Sequence, residues 1–240
     1  MQVTLTIIRY PKRYIFFALL AMAVHRLPLW LNNKISFYKL MGSGKNGTFD
    51  IHPDWQQWAV MAVHSKPFEP EELDTPDHAI KLYGQLIYAW YRFFKCEIYT
   101  LVLEPTEGHG LWDRKEPFGQ LPKNTTYEGI VGVMTRATIR LSKLRAFWQN
   151  VPGVAGQMQQ TKGLHTSFGI GEIPFIKQAT FSVWESKDAM KDFAYRLKEH
   201  NEVIQKTRKQ DWYSEELFVR FKLLHTIGTV HGIDPLKGKL

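Results

Sequence analysis

The sequence predicts an α+β chain built from two tandem ferredoxin-like halves, on three observations. Segments rich in β-forming residues and segments of helical periodicity follow one another as β-α-β-β-α-β, and that order occurs twice. Landmark residues recur at one offset: Arg9 ends the first strand of one run and Arg136 lies near the end of its counterpart, while Gly42-Ser43-Gly44 and Gly169-Ile170-Gly171 close the second strands. A ferredoxin-like half also carries its helices on one sheet face and leaves an apolar face that must be buried. Two halves packed sheet to sheet within one chain solve this as an intrachain α+β barrel, enclosing a cavity suited to an apolar ligand or a flat cofactor.

In the first half the predicted elements are strand Val3–Arg9, helix Tyr14–Val24, strands Ile35–Met41 and Trp55–His64, helix Asp77–Phe94 and strand Glu97–Glu104. The second repeats them as strand Ile130–Ile139, helix Lys143–Asn150, strands Leu164–Ile170 and Ile176–Trp184, helix Lys187–Thr207 and strand Leu217–Leu224. Between them, Pro105 to Tyr127 holds Pro105, Gly108, Gly110, Pro117, Gly119 and Pro122 and shows neither periodicity, which marks a linker or flap. The expected organisation is an N-terminal half over 1–106, a linker or flap over 107–127 and a C-terminal, cofactor-binding half over 128–240.

With 240 residues, 44% of them apolar, the chain can bury a sizeable core. Its formal charge of +8 is scattered, without the basic run or zinc spacing of a nucleic-acid binder, so no nucleic-acid partner is expected. The single cysteine, Cys96, cannot form an internal disulfide, and no nearby histidine makes it a nucleophile; the expected location is cytoplasmic. Tyr14 to Val24 is too short to span a bilayer of roughly 30 Å. Two readings stay open for it: a buried helix, or a helix whose outer face touches the inner face of a membrane.

Neither Gly-x-Gly pair continues into a nucleotide-binding fingerprint, so both are expected in turns or bulges. His-Glu-x-x-His and Gly-x-Ser-x-Gly are absent, which removes most support for hydrolase readings. Three residues are candidates for chemistry. His200 shares a helix face with Phe193, Leu197 and Ile204, a face that must look toward a sheet, and it is either a core histidine or the single imidazole that a haem iron requires. Arg136, charged within an apolar strand, needs a carboxylate, a haem propionate or an oxygen species as partner. Ser182 alternates with Phe181 and Val183 and could donate a hydrogen bond into a cavity, although an ordinary strand serine looks the same.

Several blocks, taken in order, resemble the spheroidene monooxygenase family: Tyr38-Lys-Leu-Met-Gly-Ser-Gly44, Thr135-Arg-Ala-Thr-Ile139, Phe168-Gly-Ile-Gly-Glu-Ile-Pro174, Gln178-Ala-Thr-Phe-Ser-Val-Trp184 and Trp212-Tyr-Ser-Glu-Glu-Leu-Phe218. The resemblance runs from about Arg9 to Gly228; Pro105 to Tyr127 and the tail after Gly228 depart from it. It implies a monooxygenase that uses dioxygen to install a keto group on an acyclic carotenoid, through haem b iron. It also implies similarity to the haem-binding α+β barrels of aldoxime dehydratases and chlorite dismutases. By the same resemblance His200 is the metal ligand and Arg136 serves both the cofactor and catalysis; Ser182, from its place in the strand, is the further catalytic candidate.

The partners so implied are a carotenoid-like apolar substrate and an electron-transfer protein such as reduced ferredoxin, with membrane contact and homo-oligomerisation as further expectations. The alternatives are a haem dehydratase or peroxidase-like enzyme of the same barrel, a haem- or lipid-binding module without catalysis, and a cofactor-free monooxygenase.

Overall fold

A computed structural model of the chain describes residues 1–47, 50–75, 77–159, 161–196, 207 and 209–240. Its strands are β1 (Gln2–Arg9), β2 (Ile35–Gly44), β3 (Pro53–His64), β4 (Glu97–Gly110), β5 (Val131–Ile139), β6 (Leu164–Ile173), β7 (Lys177–Trp184) and β8 (Tyr213–Gly228). The helices are α1 (Ile15–Val24), α2 (Arg26–Leu31), α3 (His78–Tyr83), α4 (Gln85–Phe93), α5 (Leu144–Gln159) and α6 (Lys187–Lys191). In each half this is the β-α-β-β-α-β order read from the sequence, with extra breaks in the helices. Contacts divide the chain into two compact units, Met1–Gly42 with Asp54–Glu104 and Leu223–Leu240, and Ser43–Pro53 with Pro105–Lys222.

In the first unit β1 lies between β3 and β4, antiparallel to both, with Leu5 opposite Met61 on one side and Leu101 on the other. Both rows of β1 are buried, which a strand flanked on both edges and covered on both faces requires. One row, Ile8 with Val60, Ala62 and Val102, packs under α1, α3 and α4 with Ala18, Leu82, Ile87 and Tyr91. Burying an aliphatic or aromatic side chain of this size is worth about 1.5–3 kcal/mol.

Polar groups in that layer pair with one another, because an unpaired buried hydroxyl costs more than its hydrogen bond returns. Tyr83 Oη lies 2.6 Å from Thr6 Oγ1 and 3.2 Å from Thr4 Oγ1, and Thr4 Oγ1 lies 2.9 Å from His64 Nε2. Cys96 directly precedes β4, and burial pushes its thiol up to about 12, as an inert packing residue requires.

Several elements differ from their sequence expectation. Helix α2 is an addition, and the strand expected at Leu217–Leu224 spans Tyr213–Gly228. The helix expected over Lys187–Thr207 is α6 followed by a π-helical turn, Asp192–Arg196, with 197–206 outside the described residues. The helix expected over Asp77–Phe94 is two helices, because Gly84 at φ 93° takes a conformation that a side chain disfavours. The helix expected at Lys143–Asn150 extends to Gln159. Finally, β4 runs on to Gly110, into the stretch expected to be a linker, because Gly108 lets β8 approach: a Cβ there would sit 2.7 Å from the Phe218 carbonyl oxygen.

The second unit centres on β5, antiparallel to β7 and β8, with β6 beyond β7. The two Gly-x-Gly segments meet here, Ser43 Oγ donating to the Gly169 carbonyl at 2.9 Å, and the β6–β7 register slips between Gly171 and Ile173. The turn or bulge expected of both pairs is met only at Gly171, where the register slips; Gly42, Gly44 and Gly169 lie within strands β2 and β6.

The first unit buries imidazoles, with consequences for acid stability. His25 touches Trp90 and Tyr91 edge-on, and burial pushes its ring down to about 4; burial does the same to His64. The unfolded chain takes up these protons near 6.5 while the folded chain resists until about 4, so the unfolded state binds more protons in that window. Stability should therefore be full above pH 6.5 and fall as pH drops from 6.5 toward 4. Replacing His25 by Phe should flatten this fall in a series of melting temperatures; a slope unchanged by the substitution would assign the acid sensitivity elsewhere.

Candidate active site

The alternation of side chains along β5 and β7 gives the second unit's sheet two distinct faces. Ser182 stands opposite Val133, and Trp184 opposite Val131. These residues face the helices: Val131, Val133 and Trp184 pack with Met158 of α5, Met190 of α6 and Phe193 of the π-helical turn Asp192–Arg196 that follows α6. Trp184 and Phe193 have ring centroids 5.2 Å apart.

Two hydroxyls face the same way. Ser182 Oγ accepts the Trp184 indole N–H at 2.8 Å, so its own proton remains free to be donated. Thr180, two residues earlier on the same face, is buried, and its Oγ1 has no hydrogen-bond partner. A hydroxyl with this capacity free can bond a bound group; Arg136 Nε and Arg220 Nε are likewise without a partner. Buried hydroxyls beside the apolar cluster between sheet and helices are a lining whose chemistry would suit a flat, largely apolar prosthetic group such as haem.

Arg136 stands on the opposite face, in the row of Met134 and Phe181. Its guanidinium is 1% exposed and enclosed by carboxylates: it donates to Glu215 in a short contact, lies 3.4 Å from Glu172 Oε1 and lies 3.6 Å from Asp113 Oδ1. It also sits over the Trp112 ring, 5.6 Å from the centroid, while the Trp112 indole donates to Glu172 at 2.8 Å. Lys177 Nζ donates to Asp113 at 2.5 Å, so two cations meet three carboxylates.

Glu215 also accepts the backbone N–H groups of Asp113 and Arg114, at 3.0 and 2.8 Å. Burial pushes its carboxyl up, but these two donors and Arg136 outweigh that and hold it below the usual carboxylate range. The segment around Trp112 is thereby pinned to the sheet. Thr125 N–H donates to Glu107 at 2.5 Å and Phe118 packs edge-on against Phe221, so much of the expected flap is anchored.

A second buried pair flanks the helix-facing side. Arg220, opposite Val133 from β8, contacts Glu107, which also receives Lys187 Nζ at 2.9 Å. Burial pushes the Arg220 guanidinium down.

Of the residues singled out in the sequence, Ser182 therefore faces the helices and Arg136 faces away from them, so a group bound between sheet and helices touches Ser182 without touching Arg136. His200 lies outside the described residues; the π-helical turn Asp192–Arg196 ends four residues before it. Such turns concentrate at functional sites. Thr180 and the carboxylates Asp113, Glu172 and Glu215 were not singled out. Thr180 could have been found, because it has the parity of Ser182 within one strand; the carboxylates come from three separate segments and only the fold joins them.

Comparison with solved structures shows the class of fold. The chain is similar over its whole length to an aldoxime dehydratase, with a TM-score of 0.61 at 9% identity and 87% of that chain covered. It is likewise similar to the aldoxime dehydratase OxdRE solved with butyraldoxime, with a TM-score of 0.62 at 7% identity and 85% of that chain covered. The α+β class expected from the sequence is thus the class observed.

Residues 133–223 match a domain of unknown function, DUF3291. The spheroidene monooxygenase of Cereibacter sphaeroides is 33% identical over 98% of this chain and 70% of its own length. That of Rhodobacter capsulatus is 34% identical over 91% of this chain and 88% of its own. The chain belongs to the spheroidene monooxygenase family.

The packing of Arg136 gives a direct prediction. Removing one partner of a buried ion cluster leaves uncompensated charge and costs about 3–5 kcal/mol. Arg136→Met should destabilise the protein by about that amount in urea unfolding, and Glu172→Gln added to it should recover part of the loss. A loss under about 1 kcal/mol would mean that the cluster contributes little to the fold.

Proposed function

We propose that this chain is a monooxygenase that oxidises a carotenoid or a similarly long apolar molecule with dioxygen, with haem b held between the sheet and the helices of the second unit. What carries the reading is identity of 33–34% across nearly the whole chain to relatives named spheroidene monooxygenase. The buried face bearing Ser182 and the unpartnered Thr180 supports its placement.

In this reading His200 ligates the iron, and the haem supplies the redox-active centre at which dioxygen is used. The remaining work belongs to the chain's own residues. Val131, Val133, Met158, Trp184, Met190 and Phe193 exclude water from that face, which strengthens every polar contact made there. Ser182, its oxygen already accepting the Trp184 indole N–H, keeps its proton to donate, and Thr180 offers a second hydroxyl proton. Arg136 acts as a positioning residue, holding β5 and the Trp112 segment in place from the opposite face.

Each oxygen-atom insertion places one atom of dioxygen in the substrate and reduces the other to water. The two electrons this needs come from a separate donor of the reduced-ferredoxin type.

The test is an absorption spectrum of the purified chain with and without added haem, followed by turnover of an acyclic carotenoid with dioxygen and a reductase. A stoichiometric Soret band that shifts with carbon monoxide, together with a product heavier by oxygen, is the expected result. His200→Ala should abolish the band, whereas Ser182→Ala should keep it and lower turnover roughly 10²-fold, the scale of losing one positioned donor. Oxidation by a colourless protein would remove haem from the proposal, and absence of oxidised product with a competent reductase would remove the activity.

A further inference from the structure

The helical layer of the first unit carries its large apolar side chains on the wrong side for a core helix. Along α1 and α2 the residues turned inward are small or few: Ala18, Ala21, His25 and Leu29 are buried. The outward stripe holds Phe16, Leu20, Leu27, Trp30 and Leu31 at helical spacing, with Phe16 69%, Trp30 72% and Leu31 64% exposed. Phe93 at the end of α4, 74% exposed, continues the patch through the ring contacts Phe16–Phe17, Phe17–Phe94 and Phe93–Phe94. Contiguous exposed apolar surface of this kind marks an interaction site.

Charge decides what covers it. The sequence has no Asp or Glu before Asp50, while seven Lys and Arg precede it, so these 49 residues carry +7 of the chain's formal +8. Exposed Lys12 and Arg13 precede the stripe, Arg26 lies within it, Lys34 follows it and Arg92 adjoins Phe93. Apolar side chains interleaved with cations, and free of acids, match the acyl boundary and headgroups of an anionic bilayer.

We infer that α1, α2 and the end of α4 form a face that docks on an anionic lipid bilayer, lying in its interface. By length and composition the 20-residue helical run Lys12–Leu31 would suffice to cross a membrane; its inner face argues for lying in the interface instead. Buried Ala18, Ala21, His25 and Leu29 belong to or contact the unit's own packed layer, which a crossing helix would have to leave. The surface stands on these residues alone and does not depend on the oxygenase reading.

Flotation of the full chain with phosphatidylcholine–phosphatidylglycerol vesicles, against phosphatidylcholine alone, tests it. The chain should float with the anionic vesicles and release at high salt. The combined variant Phe16→Ser, Leu27→Ser, Trp30→Ser should lose binding by at least about tenfold with an unchanged melting temperature, since all three side chains are exposed. Lys12→Gln with Arg13→Gln should lose binding to anionic vesicles by about tenfold with the apolar stripe intact. Wild-type protein that floats with neither vesicle, or binding untouched by both variants, overturns the inference. So does a wild-type dimer that the Ser variant turns monomeric without any vesicle binding, which would make the face a contact between copies. Turnover of detergent-dispersed substrate, measured on the same variants, keeps a failure here separate from a failure of the oxygenase reading.

Discussion

The second unit is organised around one buried guanidinium. Arg136 sits in the middle of the apolar strand β5, where an uncompensated charge is prohibitive, so the chain must bring carboxylates to it. Glu172 comes from β6, Glu215 from β8 and Asp113 from the segment after β4. One requirement of electrostatics thus ties three stretches of chain, far apart in sequence, to the same strand. It also fixes the Trp112 segment, whose indole and backbone N–H groups complete the coordination of the same carboxylates.

That commitment gives the two faces of the sheet different contents. The Arg136 row is occupied by charge pairing and by aromatic packing among Phe181, Phe221 and Phe118, with Arg136 Nε left without a hydrogen-bond partner. The helix-facing row combines an apolar cluster, the buried Arg220–Glu107 pair and two hydroxyls, one accepting the Trp184 indole N–H and one without a partner. Unspent hydrogen-bonding capacity in dry surroundings suits a ligand; Thr180 Oγ1 supplies it on this row and Arg136 Nε on the other.

Much of this was legible in the sequence, and the reasons for the rest are physical. Element order was readable because periods of two and of about 3.6 are written directly in residue spacing. The break at Gly84 was hidden inside a helical pattern, since a glycine there is compatible with either a helix or a break until backbone angles are known. Gly108 was read as a loop signal, but it marks the close approach of two strands, which local sequence cannot distinguish from a turn. Arg136 was recognisable as needing a partner, and carboxylates were among the partners weighed. That it and Ser182 point to opposite faces follows from strand parity only once the register of β5 against β7 is fixed, because a slip of one residue exchanges the faces.

The central claim is that a flat cofactor binds on the face of Ser182 and Thr180 and not on that of Arg136. The stretching frequency of carbon monoxide on the reduced, haem-loaded protein reports which side chains surround the iron's open face. The account predicts that Thr180→Val shifts this frequency and that Arg136→Lys, which keeps the buried charge, leaves it unchanged. A shift with Arg136→Lys and none with Thr180→Val would place the cofactor on the other side of the sheet and contradict the account.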